Sequence, residues 1–189
     1  MPTEELKEGD LSPTESGDPD FDSLNRFNRL LSKHDERGLV LSLAAFAEDT
    51  LGRLLLTHLV DCKQSKDLIE GFNAPLGTLA TRMKAAYSIG LLTKEQYEDL
   101  EIARKVRNLF AHDWEGVSLE RSDVKAMIGQ LHGYTFDGTP ISGDTRQLLQ
   151  HSVANVLMEL RVQIAQHRKH RRRAPFAGFR LTTIKPSST

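Results

Sequence analysis

The eleven residues Arg104-Lys105-Val106-Arg107-Asn108-Leu109-Phe110-Ala111-His112-Asp113-Trp114 hold the densest set of groups able to act on a phosphodiester. Asn108 and His112 stand four apart and share one face of a helix, whereas Arg107 is five before His112, about 140° away around the axis. A frayed helix end or the long arginine stem has to bring the three together. Converged, they would place a guanidinium, an amide and an imidazole titrating at about pH 6.5 in one polar patch, able to hold a phosphate and move a proton. The structural alternative has Arg107 paired with a carboxylate such as Glu101 or Asp113, and His112 capping the helix C-terminus, where positive charge is favoured.

A second cationic concentration is His167-Arg168-Lys169-His170-Arg171-Arg172-Arg173, ahead of Ala174-Pro175. With Arg104, the bases Arg168, Lys169, Arg171, Arg172 and Arg173 are the candidate phosphate-contacting residues. The leading reading of the same cluster is a solvated helix end at the negative pole of its dipole, with phosphate contact next and docking of an acidic protein last. Charge is strongly asymmetric along the chain, with eight acids and one base over residues 1–22 against eight bases and no acid over 161–189. An acidic arm folding back on the basic tail would be screened over a Debye length of about 8 Å.

Other chemistries lack their spacing. There is no Gly-rich phosphate loop, no G-x-S-x-G elbow and no His-Glu-x-x-His. Histidines 34, 58, 112, 132 and 151 are scattered, and His167 and His170 lie among arginines that repel a cation. No metal and no cofactor is expected, and His58, on a largely apolar helix, reads as a core or edge histidine.

Apolar residues at spacings of three and four argue for helices almost throughout. Leu24, Phe27, Leu30 and Leu31 mark a first helix; Leu39, Leu43, Phe46, Thr50, Leu54 and Leu55 mark a longer one ending near Asp61. Ser65 is placed to cap a short helix carrying Leu68 and Ile69, closed by Gly71. Pro75 suits a first helical position, followed by Leu76, Leu79, Met83 and Tyr87 up to Gly90. Thr93 and Gln96 form a capping box for a helix through Leu100, Val106 and Phe110 toward Trp114. Ser122 is placed to cap a helix through Val124, Ile128 and Leu131, closed by Gly133, and residues 134–142 read as a loop or hairpin. The last helix carries Leu149, Val153, Val156, Leu157, Leu160 and Ile164.

The fold class is therefore all-α, a bundle of about six or seven helices with disordered termini. It divides into an acidic arm at 1–22, a helical domain at 23–173 and a flexible tail at 174–189. A chain of 189 residues, 39% apolar and 27% charged, is long enough for one core without staples. Its single cysteine and its N-terminus without a basic-then-apolar layout point to the cytoplasm. Leu39 to Val60 is long enough to span a bilayer but contains Glu48, Asp49 and Arg53, so no membrane contact is expected.

Four pieces in order, Asn73-Ala74-Pro75-Leu76-Gly77-Thr78-Leu79, Arg82-Met83-Lys84, Tyr87-Ser88-Ile89-Gly90-Leu91-Leu92 and Glu95-Gln96-Tyr97-Glu98-Asp99, resemble the mannitol operon repressor family (MtlR, also written MltR). The likeness is strongest from Phe72 to Trp114 and extends over Leu24 to Ile164. It implies an all-helical domain and a role as a negative regulator of gene expression. Arg107-Asn108-x-x-Ala111-His112 resembles a second group, the HEPN domains, helical bundles whose Arg-x4-to-6-His motif cleaves RNA without metal. That likeness implies that Arg107 steadies the phosphate, His112 acts as general acid or base for attack by the 2'-hydroxyl, and Asn108 orients them. It also implies a homodimer with two motifs facing one cleft.

The two likenesses agree in fold and differ in class, repressor against metal-independent endoribonuclease, and a pure protein-interaction module is a third reading. A DNA reader should present a recognition helix rich in Arg, Asn, Gln or Ser. The helix after the Gly71 to Pro75 turn offers only Thr78, Thr81, Arg82 and Lys84, so repression is expected to run without a helix-turn-helix, through the tail, a partner protein or RNA.

Overall fold

The computed structural model describes residues 19–31, 34–113, 115–133, 141 and 143–168. Among these are seven helices: α1 (Pro19–Leu31), α2 (Glu36–His58), α3 (Lys63–Ile69), α4 (Leu79–Ser88), α5 (Lys94–His112), α6 (Ser122–Ile128) and α7 (Thr145–His167). No described residue lies in an extended strand, and no described helix is long and apolar enough to cross a membrane.

α2 is the hub, packed against α1, α3, α4, α5 and α7. Its buried residues, among them Leu39, Val40, Leu43, Ala44, Ala47, Leu51, Leu54 and Leu55, run around much of its circumference, the pattern of a helix sunk in a core. Each fully buried leucine such as Leu51 or Leu54 contributes about 1.5–3 kcal/mol. Asp35 starts α2 by accepting from the Gly38 amide at 2.6 Å. Thr93 with Gln96 and Asp144 with Gln147 form capping boxes that start α5 and α7.

Two arginines join the helices. The Arg82 guanidinium on α4 donates to three carbonyls, Leu76 at 2.8 Å, Glu48 at 2.7 Å and Ile69 at 2.8 Å. It thereby ties α4 to α2 and fastens both ends of the loop at 70–75. The Glu48 carboxylate answers by accepting from the Leu79 amide at 2.7 Å, at the start of α4. Gly52 faces Arg82, and a Cβ there would lie 2.9 Å from its Nη1. Arg161 on α7 is fully buried. It donates to Thr50 Oγ1 at 3.1 Å, lies 3.5 Å from Asp49 and sits 4.9 Å above the Phe46 ring, which stacks on Phe27 at 4.1 Å.

Several expected boundaries shift. Helix α1 begins at Pro19, inside the stretch assigned to the acidic arm. α2 ends at His58, three residues early, because Leu59 turns extended and donates its amide to Leu55. Cys62, not Ser65, is the N-cap of α3; Ser65 is buried inside the helix, 3.3 Å from the Cys62 sulfur. Pro75 is not a first helical residue, since Thr78 caps α4 with Thr81 and Gly77 turns back onto Ala74 at 2.9 Å. Arg121 is the N-cap of α6, one residue before Ser122, and α6 ends at Ile128, so Leu131 is buried in the following turn rather than in the helix. The loop at 134–140, Trp114 and the basic residues Lys169, His170, Arg171, Arg172 and Arg173 lie outside the described residues.

Candidate functional site

The Arg107–His112 stretch forms the last turns of α5. Its inward side chains, Val106 and Phe110, are buried in the core and fix the helix, so the outward ones are presented by a rigid element. At the end of α5, Arg37 of α2 donates to the carbonyls of Phe110 and, at 2.8 Å, of the C-cap residue Asp113. Arg121 donates to the Asp113 carboxylate at 2.7 Å.

These contacts bear on the structural alternative for the motif. Asp113 is taken by Arg121, and Glu101 accepts two bonds from Arg104, at 2.8 and 2.6 Å. Among the described residues Arg107 therefore has neither expected carboxylate; its guanidinium donates to Asn108 Oδ1 at 3.1 Å. Arg37, not His112, caps the carbonyls, and the His112 side chain is exposed.

Asn108 and His112 line one shallow groove with Leu109, Asp113 and Glu115. Arg107 does not line it and connects to it through Asn108. The structure thus brings together the pair four apart and leaves the arginine beside it, as the helical angles require. The groove offers an amide and an imidazole next to a cation, the parts of an acid-base site on a phosphate.

Of the phosphate-contact candidates, Arg104 is half-buried against Glu101, and that guanidinium holds the carboxyl below the usual carboxylate range. Arg168 lies at the end of α7 and borders a separate cleft of about 300 Å³ between the ends of α2 and α7 and the start of α3. Ser65 hydrogen bonds hold the Cys62 thiol in that cleft below its ordinary pKa, against burial and the nearby Asp61.

Sequence reasoning also missed an Asp–His pair. The buried Asp99 carboxylate accepts from the His132 amide at 3.0 Å and meets its Nδ1 at 2.8 Å, fastening the turn after α6 to α5. The residues are 33 apart and no local pattern links them. His58 behaves as a half-buried edge histidine, its Nδ1 3.0 Å from the Leu54 carbonyl and its ring 4.8 Å from that of His167. Among the described residues no group of three His, Cys, Asp or Glu side chains could hold a metal ion.

An all-helical bundle of this arrangement is shared with a chain in the solved MtlR–HPr complex from Escherichia coli, with a TM-score of 0.53 and 20% identity over 76% of this chain and 97% of that one. In sequence, the chain is similar to the mannitol operon repressors of Escherichia coli K12 and of Escherichia coli O6:H1, 31% identical to each over 65 residues. That match spans 34% of this chain and about a third of the length of the curated relatives. No family profile matches the chain. The likeness read from the Asn73–Asp99 residues is thus borne out over part of the chain, and the all-α fold over most of it.

Proposed function

We propose that this chain is an MtlR-like negative regulator of gene expression, cytoplasmic, acting through a protein partner and without a helix-turn-helix. The observation that carries the reading is the 31% identity to mannitol operon repressors, joined to a fold shared with a chain of an MtlR–HPr complex. The partner is then a protein of the HPr kind. Support for a route without direct base reading comes from α4, the helix that follows the 70–77 turns. Arg82 is directed to three backbone carbonyls and Thr78 and Thr81 form the capping box, leaving little but Lys84 as an outward polar group of the expected set.

The test is calorimetric titration of the full chain with the host HPr, beside a DNA titration at several salt concentrations. Saturable binding of HPr, with DNA binding absent, is expected. No HPr binding, together with DNA affinity falling about 0.9 log units per log of salt for each phosphate contacted, would transfer the function to the basic tail at 168–173.

A second reading is favoured by one observation, that Asn108 and His112 line the same groove with Arg107 bonded to Asn108. It is a metal-independent endoribonuclease in which Arg107 holds the phosphate, His112 transfers the proton and Asn108 orients them, in a homodimer that doubles the motif. RNA incubated in EDTA with wild type and His112→Ala decides it. Cleavage lost in the variant supports it, and intact RNA in both tubes removes it.

A further inference from the structure

The Asp99–His132 pair stands apart from the Asn108–His112 groove. Asp99 is almost wholly buried on α5, and its Oδ1 accepts from the His132 amide at 3.0 Å. The same oxygen lies 2.8 Å from His132 Nδ1. An oxygen already accepting there accepts again, so in the neutral imidazole the ring hydrogen sits on Nδ1 and the lone pair on Nε2. Nε2 in turn lies 3.6 Å from Glu98 Oε2. Two acceptors thus stand opposite each other, and a cation between them, a proton or a metal ion, is what joins them.

We propose that Glu98 and His132 bind one divalent ion of the zinc type, with Asp99 behind them as a positioning residue. Zinc bonds an imidazole nitrogen at about 2.0–2.1 Å and a carboxylate oxygen at about 2.0–2.2 Å, so a tetrahedral ion holds two such ligands about 3.3–3.5 Å apart. The 3.6 Å between Nε2 and Oε2 is a small side-chain adjustment from that separation. Asp99 on Nδ1 is the outer carboxylate that metal-binding histidines ordinarily carry, which fixes the ring and raises its basicity. The His132 and Glu98 side chains are 34% and 44% exposed and border a cleft with Tyr97, Lys105 and Gln130, so water fills the remaining ligand positions. Nearby charge is mixed. Glu95 interacts electrostatically with His132, whereas Lys94, 3.7 Å from Glu98 Oε1, and Lys105 oppose a cation. Glu101 is committed to Arg104, so the protein supplies two ligands. A bound ion clips the turn after α6 to α5. Neither the regulator nor the nuclease reading is needed for it, and the nuclease assay in EDTA runs with the ion stripped.

The metal-stripped full chain is titrated by calorimetry at neutral pH with zinc chloride and, separately, with magnesium chloride. Zinc should bind saturably, and magnesium should not, because it prefers oxygen octahedra to imidazole. His132→Gln and Glu98→Gln should each weaken the zinc site about tenfold or more, and Asp99→Asn, which touches no metal, also about tenfold. Lys94→Gln should tighten it about twofold by removing a like charge. His58→Gln and Cys62→Ser, outside the pair, should leave it unchanged. Amide exchange at 131–133 should slow about tenfold or more with zinc at a hundred times its dissociation constant, in the wild type and not in His132→Gln. Glu98→Gln decides if a variant at His132 or Asp99 fails to fold, since its side chain is partly exposed and takes no part in the core. The proposal is overturned if zinc does not bind, if magnesium binds as well, or if a folded His132→Gln or Glu98→Gln binds zinc like the wild type. None of these readouts involves HPr or nucleic acid, so a failure here leaves the regulator reading standing, and the reverse holds too.

Discussion

Replacing Arg82 by alanine removes three hydrogen bonds at once, to the carbonyls of Ile69, Leu76 and Glu48, and unfastens the 70–75 loop from α2 and α4. A hydrogen bond from a charged donor contributes about 1.5–3 kcal/mol net, and the site is only partly buried, so water reaches some of the freed carbonyls. The expected loss is about 3–5 kcal/mol, out of about 5–15 kcal/mol for a domain of this kind. Arg82→Lys keeps the charge but not the fork, and should lose about 2 kcal/mol or more. Gly52 supplies an internal control. Gly52→Ala would gain about 1 kcal/mol of helix propensity, yet its Cβ would meet Arg82 Nη1 at 2.9 Å. In the wild type it should destabilise by about 1–3 kcal/mol. In the Arg82→Ala background the guanidinium clash is gone and the Ile69 Cγ2 contact at 3.2 Å remains, so part of that cost should be recovered, a coupling of about 1 kcal/mol. Urea unfolding followed by circular dichroism gives all four corners of the cycle, and amide exchange at 70–77 reports the loop. An Arg82→Ala loss below about 1 kcal/mol, or two changes that simply add, would refute the clamp.

Four further outcomes are expected. Thr93→Ala should cost about 1 kcal/mol through the lost α5 cap, read from the urea midpoint. Glu101→Gln should cost about 0.5–1 kcal/mol at neutral pH. Because Arg104 lowers the folded pKa of Glu101, this difference is present above the unfolded value of about 4.3 and is lost as pH falls through the folded pKa, so the wild-type and variant curves should converge in acid. Arg161→Met should stay within about 1 kcal/mol of wild type, whereas Arg161→Ala should lose about 3 kcal/mol or more by opening a hole beside Phe46 and Thr50. His112→Ala, at an exposed position, should leave the unfolding curve within about 0.5 kcal/mol, so any lost cleavage would be chemical.

The helices were legible wherever local patterns are strong. The Thr93–Gln96 box, the α7 apolar face and the buried run of α2 all follow from spacing alone. What spacing misassigned was the choice among competing caps. Pro75 and Thr78 both suit a helix start, and the tie was broken by Glu48, 31 residues away, accepting from the Leu79 amide. Arg82, counted in sequence as an outward polar residue, turns inward because three carbonyls from distant segments converge there. In the candidate site the Asn108–His112 face could be read from four-residue spacing. The capping by Arg37 could not, since 76 positions separate it from Asp113. The cleft between the ends of α2 and α7 is likewise invisible to any window, because it needs the two helix ends side by side.

The contacts of Arg146 set an order on synthesis. Its guanidinium donates to the carbonyls of Leu31, 115 residues earlier, and of His34, and Thr50 waits for Arg161 across 111 residues. At about 5–20 residues/s the ribosome takes roughly 6 to 23 s to cover that separation. Through that interval α1 and the apolar flank of α2 have no α7 to close on. A chain interrupted before Thr145 should therefore be a substrate for chaperones and proteases rather than a smaller folded domain.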